Sequence, residues 1–246
     1  MAPILPYRRS SRLPRPTDTA VAAEADSLLT GLSVWFSLDE TSGSRADSHT
    51  SGLSLTDSNS VLSVSGKQSN GADFVKSNSE YLSPTNNAAF SPAADEDLTI
   101  AFWSNVDSAS AINVAVTKWN SVVTIEYYLY GSIASDSKVW FTYALGGGAS
   151  SISAASGTTV SSGTWHFVVA QLDRTAGEIS VSVDLGTAGT ASSGSAFKAN
   201  TGADFMLSKN PYADGSLDEV AIWKRLLTAD EKTRLYNSGN GISYPG

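Results

Sequence analysis

From residue 32 onward, short β-prone runs alternate with turns rich in Gly, Ser, Asn and Asp, the pattern of a sandwich or barrel. Residues 178–184 are the clearest case. Ile179, Val181 and Val183 alternate there with Glu178, Ser180 and Ser182, so a period of 2 puts the three apolar side chains on one face, against a core. Residues 165–172 form the preceding strand. Residues 173–177 join the two as a hairpin loop, with Gly177 where a positive φ is needed. Val34, Phe36 and Leu38 alternate in the same way, as do Leu98, Ile100 and Phe102, and residues 122–130 and 139–143 are further predicted strands. One helix is predicted near the C-terminus. Thr228 is its N-cap and Glu231, three residues on, completes a capping box. Asp230 and Glu231 suit the positive end of the helix dipole, and Asn237-Ser238-Gly239 offers a left-handed stop.

Residues 1–30 depart from this pattern. Pro3, Pro6, Pro14 and Pro16 hold half of the chain's eight prolines, and Arg8, Arg9, Arg12 and Arg15 face only Asp18 within residues 1–20. Proline fixes φ and removes a donor, so an extended basic arm is predicted, followed over residues 19–30 by an Ala-rich helical connector. Residues 31–246 then form one domain. No apolar stretch of secretory-signal length follows the arginines. The arm reads either as an unstructured or vector-derived leader, or as a docking arm whose guanidinium forks pair with carboxylates on a partner's acidic groove.

Composition narrows the function. The formal net charge is −8, and the part beyond residue 20 holds 12 basic and 23 acidic residues. A body this acidic is a poor ligand for phosphate backbones, so no nucleic-acid partner is expected. No run of about 18 apolar residues suggests a membrane-spanning helix. There are no cysteines and only two histidines, which excludes disulfide scaffolds, cysteine zinc sites and His-rich metal centres. The 41 serines fit outer sheet faces that are polar without being charged. A binding or structural protein is expected rather than an enzyme.

Four segments, taken in order, carry a family resemblance. They are Val34-Trp35-Phe36-Ser37-Leu38-Asp39-Glu40 with Arg45-Ala46-Asp47-Ser48; Gly71-Ala72-Asp73-Phe74 with Glu80-Tyr81-Leu82 and Leu98–Trp103; Gly163-Thr164-Trp165-His166-Phe167; and Gly215-Ser216-Leu217-Asp218-Glu219-Val220 through Arg225. Together they resemble the laminin G-like, concanavalin A-like jelly-roll family over residues 32–240. With Lys118-Trp119 and Leu235-Tyr236-Asn237, the chain is similar to versions carried by tailed-phage structural proteins. The resemblance implies an all-β, two-sheet antiparallel jelly-roll sandwich with one short C-terminal helix, here preceded by the extended N-terminal arm. That fold hosts lectins, adhesion modules, virion proteins and a few hydrolases, so it does not settle function.

The chemistry can be tested residue by residue. Hydrolases of this fold carry Glu-x-Asp-x-x-Glu on one strand, as paired-carboxylate glycoside hydrolysis requires, and no such spacing occurs here. Asp95-Glu96-Asp97 reads as a solvated turn, His49 as a loop residue and His166 as a strand-face residue without a nucleophile motif. No catalytic residue is assigned. On a period-2 count, Asp218 shares a face with Val220 and Ile222, and an inward carboxylate must be paired, hydrogen-bonded or metal-bound. The family resemblance implies a structural calcium ion with Asp47 and Asp218 among its oxygen ligands. The alternative has Asp218 capping backbone N–H groups or pairing with Arg225 or Arg45. No other cofactor is expected. Trp35, Trp103, Trp165 and Trp223 lie in strand runs and are assigned to packing, whereas Trp119, Tyr130 and Tyr212 lie nearer loops and are the candidates for stacking on a glycan.

The leading expectation is a non-enzymatic virion structural protein, a capsid decoration or head-attached protein. It docks on the major capsid protein or another virion protein through residues 1–20 and displays a lectin-like domain that also grips host surface glycans. Decoration proteins often sit as dimers or trimers, although nothing in the chain counts subunits. The alternative is an extracellular carbohydrate-binding adhesion module of a tail fibre or cell surface.

Overall fold

A computed structural model describes residues 27–245 apart from 50–51, 85–87, 110–112, 121–123, 133–135, 147–149, 195, 200–201 and 210. The arm, with Arg8, Arg9, Arg12 and Arg15, lies outside the described residues.

In chain order the first strands are β1 (Leu32–Phe36), β2 (Arg45–Ala46), β3 (Ser54–Ser58), β4 (Leu62–Ser65), β5 (Asn70–Phe74), β6 (Tyr81–Ser83), β7 (Leu98–Val106) and β8 (Asn113–Lys118). They continue as β9 (Tyr127–Ser132), β10 (Lys138–Ala144), β11 (Ser151–Thr159), β12 (Trp165–Asp173), β13 (Glu178–Val183), β14 (Gly189–Ser192), β15 (Phe205–Leu207) and β16 (Gly215–Trp223). Helix α1 (Ala229–Tyr236) follows β16. Sheet 1 runs β14-β13-β12-β7-β16-β5-β4, with β1 paired to β16, and sheet 2 runs β11-β10-β9-β8-β15-β6-β3-β2. All pairings are antiparallel. The expected two-sheet jelly-roll sandwich is the fold.

The hairpin predicted at residues 173–177 pairs Asp173 with Glu178, and Gly177 has φ +67. The capping box at Thr228 is complete, with both the Thr228 and the Glu231 side chains reaching back to backbone N–H groups. The left-handed stop falls on Asn237 (φ 46), two residues before the glycine. Arg225 clamps this corner. Its guanidinium makes a two-pronged pair with Glu231, at 2.8 Å to each oxygen, and also reaches the carbonyl of Ser27. Those contacts hold the Glu231 carboxyl down at about 2 against the opposing pull of burial.

The interior alternates as the pattern requires. Ile179, Val181 and Val183 point into the space between the sheets, with Val34, Phe36, Ile100, Phe102, Leu129 and Phe141. A second apolar layer lies on the outer face of sheet 1. Trp35, Trp103 and Trp223 pack there with Phe167, Leu28 and Leu235 under α1. Three of the four strand tryptophans are therefore buried, as expected, but outside the main core, while Trp165 is half-buried. The connector's last turn belongs to this layer: Leu28 is buried, and its carbonyl accepts from Trp223 Nε1 at 2.7 Å.

One register expectation is corrected. Asp218 opposes Trp103 and Ala221 opposes Ala101, so β16 carries one extra residue between them. Glu219 occupies this bulge at φ +49. An added residue reverses the facing of everything on one side of it. Asp218 therefore lies on the Trp103 face of sheet 1, opposite to Val220 and Ile222.

Candidate functional site

The outer face of sheet 2 presents a group of aromatic rings. On β9, Tyr127 and Leu129 are buried in the core, which leaves Tyr128 and Tyr130 on the other face. On β10, Val139, Phe141 and Tyr143 point inward and Trp140 outward. Register places Trp140 opposite Tyr130 and Thr142 opposite Tyr128. Trp119 follows β8 directly, and its ring lies 5.5 Å from that of Tyr128, which is 4.9 Å from that of Tyr130. All four rings are half-buried. Each is held by its neighbours while one side remains wet, the setting in which amphipathic aromatics serve as contact surfaces. Trp140 Nε1 donates to Asp136 at 3.2 Å, and the hydroxyls of Thr142 and Ser153 meet at 2.7 Å beside the rings. Burial and the neighbouring Tyr128 push the Tyr130 phenol upward in pKa, so it stays a neutral donor.

Beneath this hairpin lies a buried polar knot. Lys118 Nζ is 3.3 Å from Glu126 Oε2, both side chains being fully buried, and it donates to the Ala203 carbonyl at 2.8 Å. Glu126 also accepts from Ser91 Oγ (2.9 Å) and Tyr143 Oη (3.3 Å), while its own amide donates to the Lys118 carbonyl. The pair ties the end of β8 to the start of β9 and so fixes Trp119 beside Tyr128. Of the strand predicted over 122–130, residues 122–123 lie outside the described residues, and β9 begins at Tyr127.

The sequence candidates separate. Trp119 and Tyr130 share this row. Tyr212 does not join it and packs instead on Tyr81, ring centroids 6.2 Å apart. Tyr128 and Trp140 were missed, although inward-outward alternation over 127–130 and 139–143 carries the signal for both.

The two acids expected at a calcium ion do different work. Asp218 is fully buried and spends both oxygens on backbone amides, those of Lys67 (2.7 Å), Gln68 (2.8 Å) and Glu219 (2.8 Å). This is the capping alternative, and Arg225 and Arg45 bind other groups. Burial still pushes the Asp218 carboxyl up to about 7, against the pull of those amides. Neighbouring Glu219 is pushed up to about 9, again chiefly by burial, and is held by Trp35 Nε1. Asp47 Oδ1 takes the amides of Trp35 and His49, whereas its Oδ2 is buried without a hydrogen-bond partner among the described residues. That orphan atom fits a cation, and Asp47 lines a recess with Ser37, Asp39, Glu40 and Ser48. Among the described residues, no three acid, His or Cys side chains converge as metal ligands. Of the acid pair, Asp47 alone has an oxygen without a hydrogen bond among the described residues.

His166 has neighbours that the sequence did not reveal. Its Nδ1 lies 2.7 Å from Asp184 Oδ2, and its Nε2 lies 3.0 Å from both the hydroxyl and the backbone amide of Ser161. A general base needs a free lone pair for the hydroxyl proton, and here the Ser161 amide engages it. Asp184 Oδ1 is in turn bound by the Phe167 amide at 2.8 Å. The three residues clamp the turn between β11 and β12. Asp95-Glu96-Asp97 is likewise structural, since the Asp97 carboxylate and the Glu96 carbonyl bind Arg174.

A family model described as the concanavalin A-like lectin/glucanases superfamily, of laminin G type, matches residues 76–231. The chain belongs to this family. No curated protein matches it. Among solved structures it is similar to the binding domain of Paraclostridial Mosquitocidal Protein 1, at 15% identity and TM-score 0.67, covering 86% of this chain and 53% of that one. It is also similar to the binding domain of Botulinum Neurotoxin DC in complex with SialylT, at 10% identity and TM-score 0.62, covering 85% and 51%. A third is domain 4 of AbnA, an extracellular arabinanase from Geobacillus stearothermophilus, in complex with arabinotriose, at 15% identity and TM-score 0.58, covering 82% and 96%. The chain thus spans about half the length of the toxin binding domains. At these identities the likeness establishes the fold, and the laminin G-like part of the sequence reading stands with it.

Proposed function

We propose that this protein is a non-enzymatic carbohydrate-binding module whose ligand stacks on Trp119, Tyr128, Tyr130 and Trp140. The observation that carries this reading is a row of four half-buried rings on the solvent face of a rigid sheet, with hydroxyls beside it. The apolar face of a sugar ring covers such rings while its hydroxyls keep their hydrogen bonds at the rim. Two of the similar structures are binding domains, one of them in complex with SialylT, and the arabinanase domain is in complex with arabinotriose, which supports the reading. Its test is titration of the full chain against a panel of neutral and acidic oligosaccharides, arabinotriose and lactose among them. Absence of binding to every panel member at millimolar concentration overturns it.

The charge asymmetry of the sequence favours a second, compatible reading, in which the module is displayed on a virion. Residues 1–20 carry four arginines against one aspartate on an otherwise acidic chain, which suits a docking arm on an acidic capsid groove. Removal of residues 1–20 is then expected to abolish attachment to capsids while leaving the melting temperature nearly unchanged, as read by co-sedimentation and calorimetry. Full attachment by the shortened chain refutes the arm.

Calcium belongs to the proposal through Asp47, with the oxygens of its recess and water completing the shell. Millimolar calcium is expected to raise the melting temperature of the wild type by a few degrees and to leave Asp47→Ala unmoved. Equal response of the two proteins removes calcium from this position.

A further inference from the structure

The outer face of sheet 2 does not end at the aromatic row. Crossing from β9 through β8 and β15 to β6, the residues on this side of the sheet run from Tyr128 through Thr117 and Met206, both of them buried, to Tyr81. Tyr128 opposes Thr117, which opposes Met206, and Tyr81 points away from the core-facing Leu82. Three strand spacings and a two-residue offset along β6 separate Tyr128 from Tyr81, about 16 Å. At the far end stands a second aromatic group of different chemistry. Tyr81 and Tyr212 pack 6.2 Å apart, and Lys209 Nζ sits 3.7 Å above the Tyr81 ring. All three residues are half-exposed. The Lys209 carbonyl is bound by Thr117 Oγ1 at 3.4 Å, which seats the lysine's backbone on the sheet between the two groups.

Lys118, Lys224 and Arg225 are each paired with a carboxylate, Arg45 and Arg174 bind backbone carbonyls, and Lys67, like Lys209, lies over an aromatic ring. Among the described residues Lys209 has no carboxylate within ion-pair distance, although the chain beyond the arm is strongly acidic. A cation–π contact fixes the ammonium in place without neutralising it. An ammonium has three donors, and the Tyr81 hydroxyl does not exhaust them. We propose that Tyr81, Tyr212 and Lys209 form a second subsite of the same glycan face, which takes an acidic sugar unit with its carboxylate on the Lys209 ammonium. The inference rests on the carbohydrate reading and gives it a ligand class: a chain whose neutral units stack on the row and whose charged unit lies over β6. One ammonium on an acidic body suits a single carboxylate, whereas a polyanion is repelled by the rest of the surface.

The test uses two matched pairs of probes on the full chain, lactose with 3′-sialyllactose, and xylotriose with the same chain bearing one glucuronic acid. The acidic member of at least one pair is expected to bind wild type about 10-fold more tightly than its neutral partner, as a charge-assisted contact allows. That preference is expected to shrink with added salt, to vanish in Lys209→Gln and to survive in Lys209→Arg. Trp140→Ala is expected to weaken both members of the pair equally. Equal affinity for acidic and neutral members in wild type overturns the subsite and leaves the row intact, as does a preference that persists in Lys209→Gln. If wild type binds neither member of either pair while binding a neutral panel sugar, the acidic subsite is again overturned. If it binds no glycan at all, the carbohydrate reading falls and the subsite with it.

Discussion

Glu126→Ala is expected to destabilise the domain by about 3–5 kcal/mol, the range for breaking a buried ion pair by removing one partner. For a chain of this size that corresponds to a fall of roughly 10 °C in melting temperature. The cost arises because Lys118, Ser91 and Tyr143 would each lose an acceptor in a fully buried place, and an uncompensated buried ammonium is the most expensive of the three. Lys118→Met is expected to destabilise by a similar amount, leaving the Glu126 carboxylate without its cation. Replacing both residues by apolar ones of similar volume is expected to recover much of the loss, because a packed apolar pair is often as stable as a buried ionic one. Thermal unfolding of the three variants separates a destabilising unpaired charge from a merely misfitting side chain. If each single variant melts within 2 °C of wild type, the knot does not hold the β8–β9 hairpin together.

The second large effect is on binding. Trp140→Ala and Tyr130→Ala are each expected to weaken affinity for the best neutral ligand by roughly 10-fold or more, as aromatic hot spots do on truncation. The double variant is expected to fall below detection. Both rings are half-exposed and point away from the core, so the melting temperature is expected to move little. Titration calorimetry beside a melting curve distinguishes lost contact from lost structure. Unchanged affinity in the double variant shows that the ligand, if bound, sits elsewhere.

Of the residues named here, those governed by local rules were legible in the chain. Alternation at Ile179, Val181 and Val183 gave an inward face, and the Thr228–Glu231 spacing gave a helix start. In each case a local geometric rule acts within a few residues, with no need of a distant partner. Trp119 and Tyr130 were singled out as lying nearer loops, which holds for Trp119 just past β8 but not for Tyr130 within β9. Tyr128 and Trp140 carried the alternation signal at β9 and β10. Their meaning as a row depends on β9 and β10 being neighbours in the sheet with Trp140 opposite Tyr130, which no local rule provides. Asp218 failed for another reason. The period-2 count held on either side of it, but the extra residue at Glu219 reversed its facing, and a bulge is set by how β16 fits β7.

The sequence by itself determined the all-β class, the C-terminal helix with its cap, the acidic body with a basic leader, and the absence of cysteine chemistry, because each depends on composition or on spacing within one element. Tertiary structure alone decided which aromatics share a face, that Lys118 and Glu126 meet, that His166 lies between Ser161 and Asp184, and that Lys209 stands over Tyr81. Those contacts join residues from different strands or loops. Sheet order and register bring such side chains together, and both emerge only when the two sheets close over a common core.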